Sequence, residues 1–442
     1  MSGEYQVLNI AKEFRQNIFP AVLGACGLGV YYLSDGLFVG NQVGDDGLSA
    51  ISITWTMVTF LIAVSVAIGM GGSIRYSIAL GRKDKRETSE YFTVTVVVLL
   101  VFGLVLTLVF GLFSDSILRL LGAVGAAYEL SVVYLRPIVY CTAFQVLAYG
   151  LIPVVRNIGG YKVASWAMAG GYIVNILLDY LLMVVLTWGM LGASLAYICG
   201  QIVIAVICLL YIIGHSRTEY SYFSIKSLRW RRTISGLLAS AVAPFGLHFT
   251  FNIVSIFINR AFLRHGGSAS LAGYMVIMST VAMITTINGG ILGGSQPLLS
   301  RYFGEDKPEV TSALVRMMFS ASMGLYISCG LVVVLARSRV GPLFGVSEIV
   351  ALEVARRLPL CILGYLFAGV ARTITTYLYA TDNNLLAGVL TYGESVLFIM
   401  ALLILPEVWG IEGIWRSMFL VYTIIAITSL GFMKLKNIER RG

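Results

Sequence analysis

The sequence GGSIRYSIALGRKDK at residues 71–85 decides the fold, because the second half of the chain repeats it as GGSQPLLSRYFGEDK at residues 293–307. The two Gly-Gly-Ser triplets are 222 positions apart, and Gly81 and Gly304, which precede the charged turns, are 223 apart. Two more landmarks keep nearly this spacing: Pro20 with Pro244, at 224 positions, and Trp188 with Trp409, at 221. The repeat predicts two homologous halves.

Composition excludes most soluble classes. Of the 442 residues, 58% are hydrophobic and only 12% are charged, whereas a soluble chain carries about 25% charged residues. An ordinary cytoplasmic enzyme, a disordered protein and a nucleic-acid-binding module are therefore excluded, and no nucleic-acid partner is expected. A membrane helix needs about 20 apolar residues. Twelve runs qualify: 14–39, 48–74, 91–112, 131–155, 164–187, 190–214, 235–260, 270–297, 311–336, 355–379, 385–406 and 411–433.

The basic residues predict the orientation of these spans. With both termini placed in the cytoplasm, inside loops and tails hold 21 Lys and Arg residues and outside segments hold 8. This bias follows the positive-inside rule, and we expect a multi-pass protein of the cell (plasma) membrane, as a monomer. Six spans per half give a parallel repeat, a design of secondary transporters. The predicted domains are an N-terminal lobe at 1–214, a basic cytoplasmic linker at 215–234 and a C-terminal lobe at 235–442.

The order and spacing of several motifs resemble the MATE family (multidrug and toxic compound extrusion). The motifs are the Pro20 helix leading to the sequence SDGLFVG at 34–40, the glycine-centred loops at Gly81 and Gly304, RNIGG at 156–160, NILLD at 175–179 and Gly189 with Gly192 and Ala193. The resemblance implies an all-α membrane protein with twelve transmembrane helices in two six-helix lobes arranged as a V. It also implies export of organic, often cationic compounds against H⁺ or Na⁺, without a cofactor.

Two embedded acids are the candidate coupling residues. Asp35 follows Tyr31 by four residues, and Asp179 follows Asn175 by four, so each acid shares a helix face with a neutral polar group. Two such faces could bind Na⁺ or hold a proton. The resemblance places the cation site on these four residues, with Tyr197 as a weaker candidate. The structural alternatives are a partly wetted acid at the membrane boundary for Asp35 and a hydrogen-bonded packing acid for Asp179.

The second half offers one embedded acid, Glu394, which could pair with Arg372 or serve a substrate or a proton. The sodium-coupled bacterial branch of the family also has acids in spans 7 and 10 of the second lobe, whereas span 7 here offers His248, Asn252 and Asn259. This favours coupling through the first lobe, often with protons. His248 could relay protons or fix a helix interface.

The substrate path is predicted from adaptable side chains, because methionine and aromatic residues repack around varied ligands and aromatic faces attract cations. Ordinary helix packing is the alternative for each residue. Pro20 is predicted to act as a hinge in span 1. The path candidates are Tyr140 and Phe144, placed on one face of span 4, with Met275, Met278, Asn288, His248 and Asn252.

Three functions remain at this point. The first is a cation-coupled exporter, and the second is a flippase for lipid-linked oligosaccharides, which would need a strongly cationic cavity. The third is a membrane-embedded enzyme acting on lipids. The three histidines are scattered along the chain, so we expect no catalytic residues and no metal site beyond a Na⁺ at Asp35 and Asp179.

Overall fold

A computed structural model describes residues 2–121, 125–215, 222–223 and 229–439. No β-strand element occurs in these ranges, and most of the predicted linker, at 216–221 and 224–228, lies outside them. The helices are α1 (Ser2–Gln42), α2 (Asp45–Gly81), α3 (Lys85–Leu120), α4 (Gly125–Tyr140), α5 (Thr142–Asn157), α6 (Tyr161–Asp179), α7 (Gly189–His215), α8 (Trp230–His265), α9 (Gly267–Gly304), α10 (Pro308–Leu335), α11 (Arg337–Leu343), α12 (Glu348–Ala380), α13 (Asn384–Trp409) and α14 (Ile411–Glu439).

The predicted all-α fold is confirmed. Ten helices are long and apolar enough to cross a membrane, and α4 with α5 forms an eleventh, bent span among the described residues. The 41-residue helix α1 brings the number of long helical units to twelve. A basic residue or a short polar turn follows most of these helices, which is why the hydropathy pattern locates them well.

Two spans differ from the continuous helices expected. Span 4 bends by 64° at Cys141, one turn after Pro137, which has no N–H to donate to the helix. Tyr140 ends α4 and Phe144 lies on α5, so the prediction that they share one helix face is wrong. Span 5 is α-helical only to Asp179 and continues as a π-helix at Tyr180–Val185.

The chain divides into two compact units. The first unit comprises Glu13–His248 and Ser300–Lys307, and the second comprises Met1–Lys12, Phe249–Leu299 and Pro308–Gly442. Helices α1, α8 and α9 each pass from one unit to the other. The lobe boundaries at 214 and 235 remain a prediction.

Each unit has its own apolar core. In the first unit the core includes fully buried Leu61, Val94 and Leu151. In the second it is built around the fully buried Trp415. The rings of Phe262 and Trp415 meet edge to face with centroids 5.0 Å apart, a favoured aromatic geometry.

The repeated loops meet inside the first unit. Gly81 ends α2 and Gly304 ends α9, and their backbones are in close reciprocal contact. A Cβ added at Gly81 would lie 2.7 Å from Glu305 N and closer still to the Arg301 carbonyl oxygen. A Cβ added at Gly304 would lie 2.9 Å from the Ile78 carbonyl carbon. Only glycine permits this approach, which explains why both repeats keep one there.

Side chains around this contact add polar bonds. Tyr302 donates its hydroxyl to Glu13 on α1, at 2.7 Å. Glu305 accepts from Arg301 at 3.1 Å and from Lys307 at 2.6 Å. The ends of α1, α2 and α9 are therefore joined within one compact unit.

Candidate functional site

The two predicted coupling acids lie together in the first unit. Asp35 on α1 is 7% exposed and Asp179, the last residue of α6, is fully buried. The two carboxylates interact electrostatically. Burial of Asp35 disfavours a wetted boundary position for it. Both oxygens of Asp179 lack a hydrogen-bond partner among the described residues, which disfavours its role as a hydrogen-bonded packing acid.

Asn175 lies one turn before Asp179 and faces α7. Gly171 and Gly200 let the two helices approach closely, since a Cβ added at Gly171 would lie 2.7 Å from the Gly200 carbonyl oxygen. One turn farther along, a Cβ on Gly200 would meet the Asn175 Cβ at 3.2 Å. Asn175 is 2% exposed, and neither atom of its amide has a hydrogen-bond partner in the part of the chain that the structure describes. Its oxygen is therefore available beside Asp179.

Tyrosines surround the two acids. Tyr31 is 1% exposed and interacts electrostatically with Asp35 and with Tyr197 on α7. The ring of Tyr31 stacks on Tyr172 with centroids 5.4 Å apart. The structure thus brings all five predicted coupling residues into one unit.

Three residues of this cluster were not predicted from the sequence. Tyr134 on α4 is 1% exposed and interacts electrostatically with both acids. Tyr149 on α5 faces Tyr197 and Gln201. Gln201 follows Tyr197 by one helical turn, and this polar spacing in an apolar span was the available signal. Tyr134 and Tyr149 carried no signal that set them apart from other aromatic residues of span 4.

A π-helix begins directly after Asp179. Its defining bond runs from Leu186 N to Leu181 O at 2.9 Å, five residues back instead of four. The α-helical hydrogen-bond pattern is therefore interrupted next to the carboxylate. Single-turn π segments occur frequently at functional sites, and here the segment separates Asp179 from the C-terminal end of the span.

The arrangement suits a cation or a proton. Two carboxylates in a low dielectric repel each other when both are charged, and a buried charge in a membrane needs a counter-charge or neutralisation. Carboxylate, amide and hydroxyl oxygens are ligands that hard cations prefer. The described residues contain no group of three or more His, Cys, Asp and Glu side chains suited to a metal ion. The cluster can therefore hold one proton or one hard monovalent cation between its acids.

The predicted path residues are spread over the chain. Tyr140 is 67% exposed, Met275 53% and Phe144 39%; His248 is also exposed, while Asn252 is half-buried. Met278 and Asn288 lie in a separate polar cluster of the second unit, where Met278 Sδ accepts from the Tyr365 hydroxyl at 3.2 Å. In that cluster Arg372 Nη2 lies 3.7 Å from Glu394 Oε1. Tyr140, Phe144 and His248 belong to the first unit, and the other path candidates belong to the second.

Comparison with known proteins gives the family. The MatE family profile matches residues 20–181 and 244–403, one segment in each half. The chain belongs to the MATE family. Relatives of this MATE protein include the multidrug export protein MepA of Staphylococcus haemolyticus (strain JCSC1435), 23% identical over 427 residues, which cover 96% of this chain and 94% of the relative. MepA of Staphylococcus aureus (strain MRSA252) is 22% identical, with 93% of this chain and 90% of the relative covered.

Solved MATE structures share the fold. An outward-facing multidrug resistance MATE transporter of the MOP superfamily superposes with a TM-score of 0.90 at 19% identity, covering 98% of each chain. A MOP superfamily transporter from Pyrococcus furiosus also has a TM-score of 0.90, at 18% identity, covering 97% of this chain and 96% of that one. These relatives are transporters and not enzymes, which rules out the lipid-modifying enzyme and does not favour the flippase.

Proposed function

We propose that this MATE protein exports organic, often cationic compounds by antiport against H⁺ or Na⁺, through alternating access between its two homologous halves. The pair of buried carboxylates Asp35 and Asp179 carries this proposal. In the described part of the chain neither oxygen of Asp179 has a hydrogen-bond partner, so it needs the proton or cation that an antiporter moves. The MepA relatives are named as multidrug export proteins, which supports small organic substrates.

The coupling step follows from the cluster chemistry. A proton or a Na⁺ entering between Asp35 and Asp179 removes their mutual repulsion, and Asn175, Tyr31 and Tyr197 supply neutral oxygens around it. Asp35 lies on α1, which also carries Pro20. Bending α1 at this proline would move Asp35 relative to Asp179. Ion binding is thereby linked to a change in the shape of α1.

The remaining assignments complete the proposal. The protein works as a monomer in the plasma membrane, with both termini in the cytoplasm, lobes at 1–214 and 235–442 and a cytoplasmic linker at 215–234. Substrates pass residues of both halves, among which Tyr140, Phe144, Met275, His248 and Asn252 remain candidates. No cofactor is required, since the ion gradient supplies the energy. Embedded basic residues are few, which argues against a flippase cavity for pyrophosphate-linked sugars.

Efflux under separate gradients tests the function. The full chain is reconstituted in vesicles with a fluorescent organic cation, and a pH gradient or a sodium gradient is imposed alone. We expect efflux under one gradient and its loss in Asp35→Asn and Asp179→Asn. The matched control is Asp115→Asn on α3, since Asp115 is exposed. If both buried variants export as fast as the wild type under either gradient, these acids do not couple transport.

A further inference from the structure

Opposite charges lie inside the spans of the second unit. Arg372 is eight residues before the end of α12, and Glu394 is ten residues after the start of α13. At a rise of 1.5 Å per residue they are about 12 and 15 Å from those helix ends, within the depth of a hydrocarbon core about 30 Å thick. Both helices are apolar enough to span a membrane. The pair is therefore at membrane depth.

The contact between these two charges is loose and accessible. Arg372 Nη2 and Glu394 Oε1 are 3.7 Å apart, beyond hydrogen-bonding distance, and the side chains are 29% and 16% exposed. Charged side chains at this depth face protein or water and avoid lipid, because exposure to lipid is expensive. A Cβ added at Gly393, beside Glu394, would meet no atom within 4 Å. The helix surface beside Glu394 is therefore not covered by other side chains.

Buried tyrosines surround Arg372. Tyr326, Tyr365 and Tyr422 are at most 8% exposed, and each interacts electrostatically with the guanidinium. The rings of Tyr365 and Tyr422 pack with centroids 5.1 Å apart. Arg372 can therefore remain solvated by hydroxyl groups when it moves away from Glu394.

Two buried polar residues beside the pair contact each other but are not fully hydrogen-bonded. Asn288 Oδ1 and Tyr326 Oη lie close together and near Glu394, and their residues are 1% and 3% exposed. Neither atom makes a hydrogen bond of normal geometry within the described ranges. An unsatisfied buried polar atom costs about 1–3 kcal/mol, so such atoms persist where water or a ligand supplies the missing bond.

We propose that Glu394 anchors a binding site for organic cations inside the second unit, and that Arg372 occupies this carboxylate when no substrate is present. An arriving ammonium or aromatic cation displaces the guanidinium toward the tyrosines and takes its place beside Glu394. The incoming cation replaces the charge of the guanidinium, so Glu394 keeps a counter-charge during the exchange. The inference rests on the proposed export of organic cations. It separates the substrate carboxylate from the coupling carboxylates Asp35 and Asp179.

Equilibrium binding of ethidium, a permanently charged aromatic cation, tests the site. The full chain is placed in lipid nanodiscs and ethidium binding is followed by fluorescence anisotropy. Glu394→Gln is expected to weaken binding at least about tenfold, or ~1.4 kcal/mol. Arg372→Gln is expected to tighten it several-fold, because the internal competitor is gone. Glu407→Gln is the matched control, since Glu407 also pairs with an arginine of this unit, Arg264 at 2.8 Å, and should bind like the wild type.

The double variant Arg372→Gln/Glu394→Gln controls for misfolding, because it removes both charges and leaves neither unpaired. It should bind ethidium as weakly as Glu394→Gln. Wild-type affinity in the double variant, or an unchanged or weaker affinity in Arg372→Gln, overturns the inference. If the wild type exports ethidium under an ion gradient, the proposed function stands, whether or not the variants bind ethidium as expected. Absence of export under every gradient would refute that function instead.

Discussion

Replacing Gly81 with alanine tests the contact between the repeated loops. The new Cβ would lie 2.7 Å from Glu305 N and 2.8 Å from the Gly304 carbonyl carbon. Ordinary contacts begin near 3.4 Å, so α2 and α9 must separate locally by at least about 0.7 Å. Both atoms belong to backbone and cannot rotate away. Overpacking of this kind costs about 1–3 kcal/mol, and we expect a lower thermal midpoint together with slower efflux.

Gly324→Ala supplies the control. Gly324 is exposed within α10, and a Cβ there would meet nothing within 4 Å. Alanine should stabilise this helix by about 0.4–1 kcal/mol, because it restricts the unfolded chain. The two identical substitutions are therefore expected to shift the midpoint in opposite directions, measured on purified protein by intrinsic fluorescence. If Gly81→Ala melts at or above the wild-type temperature and exports normally, the close approach of these loops has no energetic importance.

Three further predictions concern other parts of the first unit. Glu90→Gln should lower the free energy of unfolding by about 1–3 kcal/mol, because Glu90 is 2% exposed and accepts a hydrogen bond from Arg229 at 3.3 Å. An unchanged melting temperature would contradict this. Asn175→Ala should leave the melting temperature nearly unchanged, since its amide has no partner in the described residues, but should reduce gradient-driven efflux; equal efflux would exclude it from the site. Pro20→Ala should slow transport and alter its pH dependence, and the coupling role of the α1 bend fails if efflux assays detect neither change.

The sequence was sufficient for the helical architecture and for the two central acids. With only 12% charged residues, any acid within an apolar run stands out, as Asp35 and Asp179 do. The reason is energetic: a membrane span excludes charges that serve no purpose. The repeat at Gly81 and Gly304 likewise predicted two equivalent loops, although their direct contact required the structure.

The bend in span 4, the π-helix and the inward-facing tyrosines depend on tertiary packing and could not be predicted from the sequence. Pro137 precedes a 64° bend, whereas Pro359 lies inside the uninterrupted helix α12, and no local pattern separates the two cases. The π-helix after Asp179 is made of apolar residues that would also fit an α-helix. Tyr134, before the bend, is buried, whereas Tyr140, at the bend, is 67% exposed, and the local sequence does not separate the two.

Three continuous helices, α1, α8 and α9, belong partly to each unit. The stiffness of these three helices therefore affects both units. Every boundary between the units lies within seven residues of a proline: Pro20 in α1, Pro244 in α8, Pro297 in α9 and Pro308 at the start of α10. Proline lacks the N–H that stiffens a helix and lowers the resistance to bending. Bending is then available in α1, α8 and α9 alike, so stiffening one of these helices at its proline should make a conformational change slower without stopping it.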